Sequence, residues 1–211
     1  MKCTSFSLVV ILARGGFGQV YRWTKIRKFL LLFGCLLLIG CQPSIAPQGA
    51  TVQVSRAVNG QTIEILDPTG QTPLNQRVRL LGIDAPLIEQ EPWGTEARQR
   101  LAELVEGQTV LLEADLDTKD NYDRIWGYVW LGDRLVNQQL VEEGWALAEV
   151  RPLAGISPRS PDPKYEQRFS RAQEKARLLG IGIWNPEQPM RQSPCEFRQQ
   201  RSPDEDIPCP N

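Results

Sequence analysis

Apolar residues recur at every second position in several short stretches of the chain, and at every third or fourth in others. Thr51-Val52-Gln53-Val54 alternates, and so does Gln61-Thr62-Ile63-Glu64-Ile65-Leu66. Asn59-Gly60 between them has the chemistry of a hairpin turn. Asp67-Pro68-Thr69-Gly70 makes a second turn before a more continuous apolar strand, Gln76 to Ile83. Gly107 to Asp115 and Tyr122 to Leu131 are two further strands. The latter places Ile125, Val129 and Leu131 on one side and Trp126, Tyr128 and Trp130 on the other. Helical spacing brings Ala97, Leu101, Leu104 and Val105 onto one face of Pro92 to Leu104. It does the same for Tyr165, Phe169, Ala172 and Ala176 within Lys164 to Leu179. A shorter helix, Leu135 to Glu143, stops at Gly144, and a short strand runs from Trp145 to Val150. Five short strands interrupted by helices predict an α+β, mainly β domain. Its expected form is a five-stranded β-barrel of OB type with about three helices packed on it.

The first fifty residues follow a different logic. Arg22, Lys25, Arg27 and Lys28 precede the apolar run Phe29 to Ile39, which ends in Leu38-Ile39-Gly40-Cys41. A basic segment before a short apolar one reads as a secretory signal. Its end is similar to a bacterial lipobox, which makes Cys41 the expected lipidation site. An ordinary signal peptide with an incidental cysteine is the alternative. The expected organisation is a signal segment over 1–41, a flexible tether over 42–50, a folded domain over 51–185 and a Pro/charged tail over 186–211. A second apolar run, Phe6 to Ala13, lies ahead of the basic segment, and we take residues 1–20 as a mis-assigned start. The implied location is the cell envelope, on the periplasmic side of a membrane or at the cell surface, with a membrane held through the lipid anchor.

Charge sharpens this division. The chain has 24 basic and 25 acidic residues, and 6 of the basic ones fall in the first 40, which hold no acid. That leaves 18 basic against 25 acidic residues, so the remaining body carries −7. An acidic body does not attract nucleic acid at long range, and any phosphate site must be local. There is no histidine, which excludes Ser-His-Asp triads and histidine-bound zinc. Once Cys3, Cys35 and Cys41 are assigned to the leader, Cys195 and Cys209 remain. In an exported chain two such thiols favour a disulfide closing a loop of about 15 residues, worth roughly 3 kcal/mol; two free thiols are the alternative.

The candidate chemistry centres on Val78-Arg79-Leu80-Leu81-Gly82-Ile83-Asp84-Ala85-Pro86. An arginine inside an apolar strand needs a partner or a ligand, and Asp84 waits at the strand end. Several segments, in order, carry a closer resemblance: Asn59-Gly60-Gln61-Thr62-Ile63; Val78 to Pro86; Gln90-Glu91-Pro92-Trp93-Gly94; Tyr122-Asp123-Arg124 with Gly127-Tyr128-Val129-Trp130; Leu135-Val136-Asn137; Gly144-Trp145-Ala146; and Ala176-Arg177 with Gly182-Ile183-Trp184. Together they resemble the staphylococcal-nuclease-like (thermonuclease) family across residues 51 to 185. The resemblance implies the OB-fold barrel, nucleic acid (DNA or RNA) as substrate and Ca²⁺-dependent phosphodiester hydrolysis of endonuclease type. It implies Arg79 and Arg124 as the catalytic arginines that neutralise the phosphate, and Asp84 as a metal ligand. A monomer is the expected state.

Several positions depart from the family pattern. Gln61 stands where the family has a second metal-binding aspartate, and Leu87 where it has the general base. The nucleotide-stacking tyrosines correspond to about Val150 and Pro152. One carboxylate and one amide make a weak, incomplete calcium site, because calcium takes six to eight oxygens. Loss of a general base typically costs about 10²–10⁴ in rate. Glu89 and Glu91 follow Leu87, but a shift of two residues in extended chain displaces a carboxylate by about 7 Å. Two readings therefore stand. One is a lipid-anchored nuclease with an impaired site; the other is a non-catalytic OB-fold module that binds a partner or a phosphate-bearing ligand. On the second, binding runs through Arg79 and Arg124; the plainer alternative for the two arginines is structural pairing with Asp84 or Asp123.

Overall fold

Val52 and Val54 point inward from the first strand, β1 (Ala50–Asn59), and strict alternation would next bury Arg56. A register shift between Val54 and Arg56 prevents this and turns Ala57 to the core instead. Arg56 is left outside, forked onto Glu64 of β2 (Thr62–Ile65) at 2.7 and 2.9 Å. The computed structural model describes residues 47–66, 76–149 (without the side chains of 115–118), 163–201 and Cys209. The leader with Cys41, the turn at Asp67 to Gly70, and Val150 with Pro152 lie outside the described residues.

From β2 the chain pairs antiparallel into β3 (Gln76–Leu80), with Thr62 opposite Arg79. β1 also pairs with β5 (Thr109–Lys119), which pairs with β6 (Arg124–Leu131). β6 then runs parallel to β3, Arg79 against Trp126, and this pairing closes a five-stranded barrel. Between β3 and β5 lie β4 (Ile83–Asp84) and the helix α1 (Trp93–Val105). After β6 come β7 (Arg134–Leu135), α2 (Val136–Glu142) and β8 (Leu147–Ala148). β4 and β8 form a separate small ribbon. Two more helices follow, α3 (Pro163–Leu179) and α4 (Pro194–Arg201). The barrel with about three packed helices is the expected fold; among the described residues a fourth helix, α4, lies in the tail beyond residue 185.

β6 is covered on both faces. Ile125 and Val129 enter the barrel core with Val54, Ile63, Val78 and Leu101. Trp126, Tyr128 and Trp130 face outward onto Tyr165 and Phe169 of α3. That second layer explains why the strand is aromatic on the side a free-standing barrel would leave wet. Gly82 turns the chain from β3 to β4 with φ 79°, and a Cβ there would lie 2.4 Å from the Phe169 ring.

The barrel seam is fixed by one buried amide. Asn137, in the first turn of α2, accepts from the Val129 N–H at 2.9 Å. Its Nδ2 donates to the Leu81 carbonyl at 2.9 Å and the Gly127 carbonyl at 3.3 Å. It bridges β3 and β6 where β3 bends away, and every one of these polar groups is satisfied.

Candidate functional site

Arg79 points from β3 into the corner where β3, β4 and the end of β8 meet. It is only 4% exposed. Its Nη2 donates to the Ile83 carbonyl at 3.3 Å and lies 3.7 Å from Asp84 and 3.8 Å from Glu149. Its guanidinium sits 5.4 Å from the centre of the Trp126 ring. Burial lowers the Arg79 pKa from its ordinary value, against the opposing pull of Asp84 and Glu149.

Glu149 follows β8 and donates its N–H to the Gly82 carbonyl at 2.9 Å. At 6% exposure, burial pushes its carboxyl up to about 7 against the pull of Arg79, with Asp84 adding to the push. Asp84 does not depend on Arg79 alone. Arg198 of α4 forks onto it, Nη1 to Oδ1 at 2.9 Å and Nη2 to Oδ2 at 2.8 Å. Two guanidinium groups and two carboxyls thus share one corner.

The tail reaches this corner because α4 is well built for its length. Ser193 and Glu196 cap it reciprocally, the Ser193 N–H donating to Glu196 at 2.7 Å and the Glu196 N–H to the Ser193 hydroxyl at 3.2 Å. Pro194 occupies the first helical position. Cys195 is buried and joined to Cys209 by a disulfide. Cys195, Arg198 and Arg201 are spaced by three, so they share a face. Arg201 meets Glu89 at 2.9 Å, and the Gln90 amide donates to the Gln192 carbonyl at 2.6 Å. Three contacts therefore fasten this segment over the loop that follows Asp84.

Arg124 lies apart. It opens β6 and is held by Asp120, Nε donating at 2.8 Å while its own N–H donates to the other carboxylate oxygen at 2.9 Å. The partner is Asp120, not Asp123 as the sequence suggests: Asp123 sits at φ 59° in the turn and pairs with Lys119. Tyr122, 61% exposed, places its ring 5.0 Å from the Arg124 guanidinium. Trp126 links the two arginines, since its ring lies against Arg79 while its Nε1 donates to Asp120 at 2.7 Å.

Comparison with known proteins places this arrangement. Residues 77–186 match the family described as staphylococcal nuclease homologue. The thermonuclease of Staphylococcus intermedius is 35% identical over 142 residues, covering 65% of this chain and 77% of that protein. The chain belongs to the staphylococcal nuclease family. The thermonuclease of Staphylococcus hyicus is 34% identical over 140 residues, 64% of this chain and 76% of its own. An uncharacterized endonuclease of Haemophilus influenzae is 29% identical over 175 residues, 83% of this chain and 88% of its own.

Set in a staphylococcal nuclease barrel, the other candidate positions have definite tasks. Gln61 follows the β1–β2 turn, and its Oε1 accepts the Ala85 N–H at 2.7 Å, bracing the chain beside Asp84. Leu87 sits in the loop after Pro86, its carbonyl so close to Gly94 that a Cβ there would lie 1.7 Å away. Glu91 accepts from the Thr95 hydroxyl at 2.6 Å at the start of α1. Glu89 and Glu91 are thus both engaged elsewhere. Among the described residues no three metal-binding side chains cluster. The donor set does not fit a calcium ion: Asp84 has both oxygens on Arg198, and the Gln61 oxygen is bound to a backbone amide. Glu149, Arg198 and Asp120 are the site residues that sequence reasoning missed. Glu149 alone left a signal, as a lone acid in the apolar run Trp145 to Val150.

Proposed function

We propose that this nuclease-family domain hydrolyses phosphodiesters feebly or not at all, and that it serves at the cell envelope as a module binding a phosphate-bearing ligand. The observation that carries the reading is the double engagement of Asp84 by Arg198. Leu87 holds the base position, and the described acids of the corner are both set against guanidinium groups, Asp84 against Arg198 and Glu149 against Arg79. Arg124 with Tyr122 is the more accessible cationic group; a guanidinium beside an aromatic ring suits a phosphate next to a base. The second reading, a working endonuclease, rests on the retention of Arg79, Asp84 and Arg124 and on relatives named as endonucleases.

Cleavage of single-stranded and duplex DNA and RNA by the purified chain, with Ca²⁺ and with chelator, separates the two. Background-level products under both conditions support the binding module. Chelator-sensitive cleavage that disappears in Arg79→Ala establishes the enzyme. Gln61→Asp with Leu87→Glu, combined with Arg198→Gln to free Asp84, is expected to raise cleavage by about 10²-fold or more, the scale of a restored general base. We further propose lipid attachment at Cys41, which fatty-acid labelling of wild type but not of Cys41→Ser would support.

A further inference from the structure

We propose that Arg198 is the resident cation of this barrel: the tail helix α4 seats its guanidinium on the Asp84 carboxylate and thereby keeps divalent metal out. The inference rests on the same Arg198–Asp84 pair as the reading above and deepens it, but its test reads cation occupancy, so its failure is distinguishable from the appearance of turnover.

Four observations converge on it. Both Asp84 oxygens accept from Arg198, at 2.8 and 2.9 Å, in the two-pronged geometry that pairs guanidinium with carboxylate. Asp84 is also buried, so a cation from solution must first displace the one already there. The neighbouring Gln61 oxygen is neutral and committed to the Ala85 N–H. With Arg79 and Glu149 counted, two guanidinium groups face two carboxyls in the corner, a balance that an added divalent ion would upset. Finally, contacts besides Asp84 help to keep the helix at the site. The Cys195–Cys209 disulfide and the Ser193–Glu196 cap stiffen the segment, while the Arg201–Glu89 pair and the Gln90 bond to the Gln192 carbonyl hold it over the site. Such anchoring raises the effective concentration of Arg198 at Asp84 far above that of a free cation.

Glu149 is the other acid of the corner, and it faces Arg79 at 3.8 Å. Removing Arg198 would therefore leave two carboxyls with one guanidinium, a pocket able to accept a hard cation.

The test is a Tb³⁺ titration followed by tryptophan-sensitised luminescence, with Ca²⁺ as competitor, on the full chain in detergent micelles. Arg198→Gln is expected to bind about ten-fold or more tightly than wild type, an ordinary coupling strength between two competing events. The gain should vanish in Arg198→Gln with Asp84→Asn. Equal binding by wild type and Arg198→Gln, or a gain that survives Asp84→Asn, overturns the proposal. Should Arg198→Gln fail to fold, amide exchange in wild type and in Asp84→Asn decides the same point. Faster exchange in 194–201 of Asp84→Asn, by about ten-fold or more, supports the seat on Asp84. Unchanged exchange there overturns it.

Discussion

Arg79 and Arg124 are the same side chain on neighbouring strands of one barrel, yet they live in opposite circumstances. Arg79 is enclosed, touching two carboxyls and a tryptophan face, while a second guanidinium shares its Asp84 partner. Arg124 is on a rim, its side chain 21% exposed, with Asp120 beneath it and Tyr122 beside it. The difference teaches that a motif arginine is defined by what surrounds it. An enclosed guanidinium is chiefly a counter-charge for buried acids, whereas a rim guanidinium retains donors for a ligand.

The largest expected effect comes from removing the enclosed member. Arg79→Met leaves Asp84 and Glu149 with Arg198 alone and is expected to destabilise the domain by about 3–5 kcal/mol in urea unfolding. A loss below about 1 kcal/mol would put Arg79 in the same class as a surface ion pair and erase the contrast.

An intermediate effect is expected at Asp120, which supports the rim. Burial pushes its carboxyl up, but hydrogen bonds from Trp126, Arg124 and two backbone amides outweigh this and hold it below 3.8. The fold therefore favours the ionised form. That stabilisation is fully present above the unfolded value near 3.8 and is lost as pH falls through the lower folded value. Asp120→Asn is expected to lose about 1.5–3 kcal/mol at neutral pH, the scale of hydrogen bonds to a charged group. The gap to wild type should narrow below about pH 4 in acid-unfolding curves. A gap that stays constant down to pH 2 would remove Asp120 as the ionised support.

The smallest effect on stability belongs to Arg124→Ala, about 1 kcal/mol or less. Its consequence should instead fall on binding of a short oligonucleotide, measured by fluorescence anisotropy. If Arg124→Ala leaves binding intact while Arg79→Lys abolishes it, the division of labour is the reverse of the one drawn here.

Much of the barrel was legible because its strands announce themselves locally, by period-two alternation in β1 and β2 and by two-faced apolar content in β6. Arg79 and Asp84 could be paired from sequence because only five positions separate them and the strand between is apolar. Arg198 could not, since it lies 114 positions from Asp84 in a polar segment without a core pattern. Its helix exists through a cap, a disulfide and ion pairs rather than an apolar stripe, so hydrophobic periodicity is blind to it. Asp120 was hidden for a subtler reason: Asp120 and Asp123 both sit in that turn, and only the backbone geometry decides which one turns inward.

Asn137 carries a consequence for how the chain reaches this fold. The parallel seam joins segments nearly fifty residues apart, and the amide that completes it belongs to neither strand but to the helix that follows. Cylinder closure and helix docking therefore share one set of hydrogen bonds, and a nascent chain arrested before Val136 holds both lips of the seam without the clasp that joins them.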